Sequence, residues 1–132
     1  MKTLEIRTKA GEEIVDLTSE VRGIVASSGV KDGLCLIFVP HTTAAVTINE
    51  NADPDVRADI LTALRRAVPD SLPFAHSEGN SAAHVKASLI GSSVTVVVAD
   101  GSLLLGTWQG IQFCEFDGPR DRKAWVQIIG NK

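Results

Sequence analysis

Leu34-Cys35-Leu36-Ile37-Phe38-Val39, entered from the turn signal Lys31-Asp32-Gly33 and closed by Pro40, is apolar at every position. A strand with one wet face would alternate. This run does not, so it is expected at the centre of a sheet covered on both sides. Working outward, Ala45, Thr47 and Asn49 alternate with Ala44, Val46 and Ile48, which predicts a second strand after His41. On the other flank, Thr18 followed by Val21, Ile24 and Val25 predicts a helix capped by Thr18 and ending near Gly29. Two short strands precede it, around Leu4–Thr8 and Glu13–Leu17.

Asp53-Pro54-Asp55 is a helix start, because Asp can cap, Pro fits the first turn and Asp55 complements the dipole. Val56, Ile60, Leu64 and Val68 form its apolar face, and Pro69–Phe74 reads as a loop. Asn80 can cap a short helix through Leu89, with Ala82, Val85 and Leu89 as its packing stripe. The remaining chain reads as strands at Val94–Val98, Leu103–Leu105, Gln109–Phe116 and Lys123–Ile129, with Asp100-Gly101 and Asp117-Gly118 as turn signals. Strands arrive in runs rather than alternating with helices. That pattern favours an α+β fold with a mostly antiparallel sheet.

At 132 residues, 44% apolar and 22% charged, the chain fits one soluble domain over residues 1–132. A net charge of −3 with interspersed signs lacks the basic footprint of a nucleic-acid binder. No stretch approaches 18 apolar residues and the N-terminus has no signal-type apolar segment. No membrane contact is therefore expected, and the cytosol is the expected compartment. Cys35 and Cys114 lie in apolar runs and are expected as buried, reduced thiols.

Three clusters carry candidate chemistry. The only histidines are His41, His76 and His84, each among carboxamides, carboxylates or hydroxyls. Histidine is the side chain best suited to proton transfer and metal binding near neutral pH. His41 opens His41-Thr42-Thr43 at the end of the apolar strand, with Asn49-Glu50-Asn51 and Asp53 downstream. His76 and His84 bracket Ser77-Glu78-Gly79-Asn80. If residues 80–89 are helical, Asn80, His84 and Ser88 share one stripe. In the third cluster, Glu115-Phe116-Asp117-Gly118-Pro119-Arg120-Asp121-Arg122, an extended chain puts Glu115 and Asp117 on one face and Arg120 and Arg122 on one face. Two guanidinium groups can grip a phosphate; the alternative is a set of internal salt bridges.

Taken together, His41-Thr42-Thr43-Ala44-Ala45, Asn49-Glu50-Asn51-Ala52-Asp53-Pro54-Asp55-Val56, His76 through His84, Gly106-Thr107-Trp108-Gln109-Gly110-Ile111 and Asp117-Gly118-Pro119-Arg120-Asp121-Arg122 resemble the YjbQ-like family, often labelled secondary thiamine-phosphate synthase. The resemblance spans nearly the whole chain. It implies a compact α+β fold with an antiparallel β-sandwich-like core and a few helices, usually assembled as a homotrimer. It also implies a polar site near subunit boundaries, and a weak activity joining a pyrimidine diphosphate to a thiazole phosphate with release of pyrophosphate.

The expectation is a small enzyme acting on a phosphorylated heterocycle. Arg120 and Arg122 would hold phosphate. His41, His76 and His84, with Glu50, would be catalytic, and the same histidines are the candidate ligands of a divalent metal ion. Asn49, Asp53 and Asn80 would orient the substrate. Such an ion would neutralise the leaving pyrophosphate. The alternatives are a metal-dependent phosphate-ester hydrolase and a non-catalytic trimeric ligand-binding protein.

Overall fold

A computed structural model describes residues 1–132. Eight strands and three helices follow in the order β1 (Lys2–Arg7), β2 (Glu13–Asp16), α1 (Thr18–Ser28), β3 (Asp32–Phe38), β4 (Ala44–Glu50), α2 (Pro54–Ala67), α3 (Ser81–Ile90), β5 (Ser93–Ala99), β6 (Ser102–Leu103), β7 (Gln109–Glu115) and β8 (Asp121–Asn131). They form a five-stranded sheet in the order β1-β8-β3-β5-β6 and a three-stranded sheet in the order β2-β7-β4. Every strand pair is antiparallel. The expected α+β sandwich is therefore the fold.

The main core lies between the two sheets and α1. Cys35 and Ile37 of β3, Val96 and Val98 of β5, and Ala124 and Val126 of β8 meet Val46 of β4, Phe113 of β7, and Val21 and Val25 of α1. A second, smaller core fills the far side of the three-stranded sheet, where Ala83 and Ala87 of α3 pack on Ala45, Cys114 and Phe116, with Leu61 and Leu64 of α2 alongside. The three-stranded sheet is thus covered on both faces. Both cysteines are free and buried, as expected. Burial in these apolar layers pushes the Cys35 thiol up to about 11 and the Cys114 thiol to about 12, so neither supplies a thiolate near neutrality.

Several local readings shift. The run at Leu34–Val39 is central, between β8 and β5, but it is covered on one side only within the chain. Leu34, Leu36 and Phe38 face outward and are half-exposed, and Val97 and Ile129 flank Leu34 in one apolar row across three strands. Phe38 stacks on Trp125 on the same face, their ring centroids 5.8 Å apart. Thr18 does not cap α1. Its hydroxyl accepts from the Ile111 N–H at 2.9 Å and so ties the helix to β7, while Asp16 Oδ1 accepts from the Thr18 N–H. Asp53 does cap α2, accepting from the Asp55 N–H at 2.9 Å. The expected strand at Leu103–Leu105 shortens to Ser102–Leu103 after the Asp100-Gly101 turn, where both residues take positive φ. That is the two-residue hairpin turn that Asp-Gly favours.

The helix α3 is rotated from its expected phase. Its buried residues are Ala82, Ala83, Lys86 and Ala87, while Val85 and Leu89 are exposed. Small side chains let α3 approach the sheet closely. Lys86 can join the buried face because Glu12 sits 2.9 Å from its ammonium.

Candidate functional site

At one end of the sandwich, β7 and β8 diverge around the turn through Asp117-Gly118-Pro119, whose Gly118–Pro119 peptide bond is cis. A Cβ on Gly118 would lie 2.4 Å from the Ala10 carbonyl oxygen, so the turn fits there only with glycine. Inside it, Arg122 on β8 and Glu115 on β7 form an ion pair with side chains 5% and 0% exposed. The Arg122 Nε donates to Glu115 Oε1 at 2.9 Å, and Nη2 donates to Glu115 Oε2 and to Thr43 Oγ1. The Thr8 hydroxyl and the Asp117 N–H complete the carboxylate's partners. Burial alone would raise the Glu115 carboxyl, but the bonds from Arg122, Thr8 and Asp117 outweigh it and hold the group below its ordinary range.

A cleft of about 390 Å³ opens over this pair, walled by His41, Thr42, Thr43, Glu78, Asn80, His84, Asp117, Arg120 and Arg122, with Pro40 at its edge. Its lining has no apolar side chain other than Pro40. Arg122 Nη1 makes no hydrogen bond within the chain, yet it is not sealed away as a buried orphan. One nitrogen of an otherwise fixed guanidinium thus faces the cleft. Arg120 is held differently. Its Nε donates to the Asp117 carbonyl and its Nη2 to Asp117 Oδ2, both at 2.7 Å, with the side chain half-exposed. The salt-bridge alternative read from the sequence is therefore realised for both arginines, and each leaves Nη1 without a partner in the chain.

The histidines hold distinct positions. His41 Nε2 accepts from the Lys123 N–H at 3.0 Å, extending the β8 hydrogen-bond ladder past the end of β3. The neutral ring must then carry its proton on Nδ1. Burial, followed by the nearby Arg122 charge, lowers the His41 pKa. Because the unfolded chain takes up this proton first, His41's contribution to stability is complete above about pH 6.5 and is lost as pH falls towards the lower folded value. We expect the wild type to lose more stability between pH 7 and pH 5 than His41→Gln, whose carboxamide can accept the same N–H without titrating. Parallel denaturant melts test this, and identical slopes would overturn it.

His84 projects from α3 into the cleft, and no hydrogen bond to its ring forms within the chain. His76 packs edge to face against it with ring centroids 5.6 Å apart, and Glu78 Oε2 lies 4.0 Å from His76 Nε2. The three histidines do not form a ready metal centre. No group of three or more His, Cys, Asp or Glu side chains in the chain is placed to hold a metal ion. The His41 Nε2 lone pair is already engaged. The residues present do not fit the expected three-histidine set.

Asn80 lies in the cleft and is the N-cap residue of α3, but its side chain makes no capping bond. Its amide donates to Asp117 Oδ2 at 3.0 Å, which leaves Asn80 Oδ1 buried without a donor. Reversing the amide would set oxygen against carboxylate, so Asp117 fixes this orientation. Asn49, Glu50 and Asp53 are not in the cleft. They lie at or beyond the other end of β4, roughly 20 Å along the strand from Ala44. There Asn51 donates to Asp16 Oδ2, and Gln112 donates to the Glu50 carbonyl. Asp53 is accounted for as the cap of α2. Within one chain, the sequence cluster after His41 is thus split by the length of β4. Thr43, Glu78 and Asp117, absent from the expected site, line it. Each stood inside a quoted motif, so the signal was present at the neighbouring residue.

Known proteins share this fold over nearly the whole chain. The family model described as UPF0047 protein YjbQ-like matches residues 2–131. A UPF0047 protein of Methanocaldococcus jannaschii is 54% identical over 128 residues, covering 97% of this chain and 93% of that one. UPF0047 protein YugU of Bacillus subtilis is 49% identical over 131 residues, covering 98% and 99%. A crystal structure of a yjbq/upf0047 family protein from Clostridium acetobutylicum superposes with a TM-score of 0.96 at 52% identity, covering 98% of this chain and all of that one. A YbjQ-like protein from Sulfolobus solfataricus gives a TM-score of 0.95 at 38% identity, covering 98% and 96%. Matched over almost its whole length in sequence and in fold, the chain belongs to the UPF0047 protein YjbQ-like family.

Proposed function

We infer that the cleft binds a phosphorylated heterocycle and carries out a thiamine-phosphate synthase-type transfer. The observation that supports this most is Arg122 Nη1, an unpartnered guanidinium nitrogen presented into a polar cleft with Arg120 and His84 beside it. In the proposed reaction the thiazole ring nitrogen forms a C–N bond to the methylene carbon of the pyrimidine. The C–O bond to diphosphate breaks, and pyrophosphate leaves with the electron pair. The attacking nitrogen has no proton to lose, so a general base is not required. What the reaction needs is positive charge and N–H donors fixed where the leaving oxygens gain charge. Arg122, locked by Glu115 and Thr43, is preorganised for that task. Any divalent ion would arrive on the substrate's phosphate oxygens, as magnesium does on diphosphates. No step runs through a histidine-bound metal. The hydrolase reading would use the same anion cleft, and product analysis separates the two.

The binding half of this reading is tested by Arg120→Lys. Arg120 is half-exposed, and an ion pair so exposed contributes about 0–1 kcal/mol, so the melting temperature should move by only a few degrees. Loss of the planar fork should weaken thiamine phosphate about tenfold in calorimetric titration. Unchanged binding with a lowered melting temperature would assign Arg120 to structure alone.

The same proposal includes a homotrimer. Its support is the outward apolar row Val97–Leu34–Ile129 with the Phe38–Trp125 stack, a surface that monomeric proteins seldom leave wet. Light scattering should give three chains per particle, and Leu36→Glu, in the middle of that face, should give monomers. A monomeric wild type at micromolar concentration would contradict it.

A further inference from the structure

Behind the Asn80–Asp117 hydrogen bond lies a second polar pocket of about 440 Å³, to which those two residues also contribute. At its buried side stands Lys86, 4% exposed on the inner face of α3. The Lys86 ammonium carries three N–H donors and makes one hydrogen bond, to Glu12 Oε2 at 2.9 Å. Glu12 also meets Arg65 Nη1 at 3.4 Å. One carboxylate therefore stands between two cations, with Asp70 and Asp117 further along the same lining. A lysine this deep is held at a desolvation cost that one shared carboxylate offsets only in part. The remaining two N–H bonds of its ammonium have the pocket to point into.

We propose that the Lys86–Glu12–Arg65 pocket is a second oxyanion site, which takes the phosphoryl or carboxylate group of a second reactant on the opposite side of the Asn80–Asp117 wall from the first. The oxyanion completes the Lys86 donors, which make only one hydrogen bond within the chain. Asn80 Oδ1, buried and without a donor, sits in the wall between the two sites and accepts an N–H or O–H from whichever molecule spans it. Asp70, exposed on the rim, disfavours bulky polyanions and favours a single compact oxyanion. The anion site stands on the geometry alone; only its role as the seat of a second reactant rests on the transferase reading.

The test is a titration of the isotope-labelled full-length protein with inorganic phosphate, followed through backbone amide resonances. Two groups of amides should move, around Thr42 and His84 for the first cleft and around Gly11 and Lys86 for the second, with separate dissociation constants. The variant Lys86→Met/Glu12→Gln removes the ammonium without stranding its carboxylate partner, and a melting curve confirms that it folds. In it the second group should stop responding, with at least a tenfold loss of affinity, while the first group still moves. If the second group never moves in the wild type, or still moves in the double variant, the proposal is overturned. If both groups behave as expected but no joined product forms, the transferase reading fails while the anion site stands.

Discussion

Glu115→Ala should lower the stability of the folded chain by about 3–5 kcal/mol, the usual loss when one partner of a buried ion pair is removed. For a chain of this length that corresponds to a fall in melting temperature of roughly 10 to 20 °C. The reason is the stranded partner. Arg122 would keep its place among Thr43 and the sheet strands with its charge uncompensated and three hydrogen bonds gone. A double variant, Glu115→Leu/Arg122→Met, should recover most of the loss, because two apolar side chains of similar volume avoid the desolvation of both charges. It should also abolish phosphate binding in the Arg122 cleft. Those two outcomes together would make the ion pair a device for aiming one guanidinium nitrogen rather than a source of net stability. The pH dependence follows the same logic. The Glu115 carboxyl is held below its ordinary value, so its contribution is complete above about pH 4.3 and is lost as pH falls through the lower folded value. Denaturant melts of the single and double variants decide the matter. A loss under about 1 kcal/mol in Glu115→Ala would mean that water reaches the pair.

The largest effect on activity is expected at His84. Its ring lines the cleft without a hydrogen bond in the chain, on a helix fixed by Ala83 and Ala87 against the sheet. A ring so placed beside Arg122 can donate an N–H to the departing pyrophosphate of the proposed reaction. Removing one such donor typically lowers kcat by about 10²–10³. His84→Ala should show a loss of that size with little change in melting temperature, since the ring is partly exposed and its one packing partner is the exposed His76 ring. His41→Gln should be much milder, because that ring serves the Lys123 backbone. Steady-state kinetics of the two variants side by side test the assignment. Equal losses would mean that the cleft's histidines are not distinguished as their hydrogen bonds imply.

Much of the fold was readable because hydrophobic period and turn chemistry agreed. Asp53-Pro54-Asp55 and Asp100-Gly101 specify their local geometry through side chains close in sequence. Three of the misreadings share one cause, which is competition from partners far along the chain. Thr18 looks like a cap until Ile111, 93 residues away, claims its hydroxyl. Asn80 holds the N-cap position, but Asp117 claims its side chain. The packing stripe expected for α3 was displaced because Glu12, 74 residues away, pairs with Lys86 and lets it join the buried face. The candidate site was legible in its motifs but not in its extent. His41, His84, Asn80, Arg120 and Arg122 converge because β4, α3, β7 and β8 share one end of the sandwich. Asn49, Glu50 and Asp53 diverge from them because β4 carries the chain to the other end. The outward apolar row is the complementary case. The sequence marks Leu34, Leu36 and Phe38 as covered, and the single chain leaves them open.

The central claim, that this cleft joins two phosphorylated heterocycles, is tested most directly by supplying hydroxymethylpyrimidine diphosphate and thiazole phosphate together and following thiamine phosphate and pyrophosphate in the same sample. One pyrophosphate is expected for each thiamine phosphate, with both slowed about 10²–10³-fold in His84→Ala. Inorganic phosphate or pyrophosphate released without the joined product would contradict it and establish hydrolysis instead.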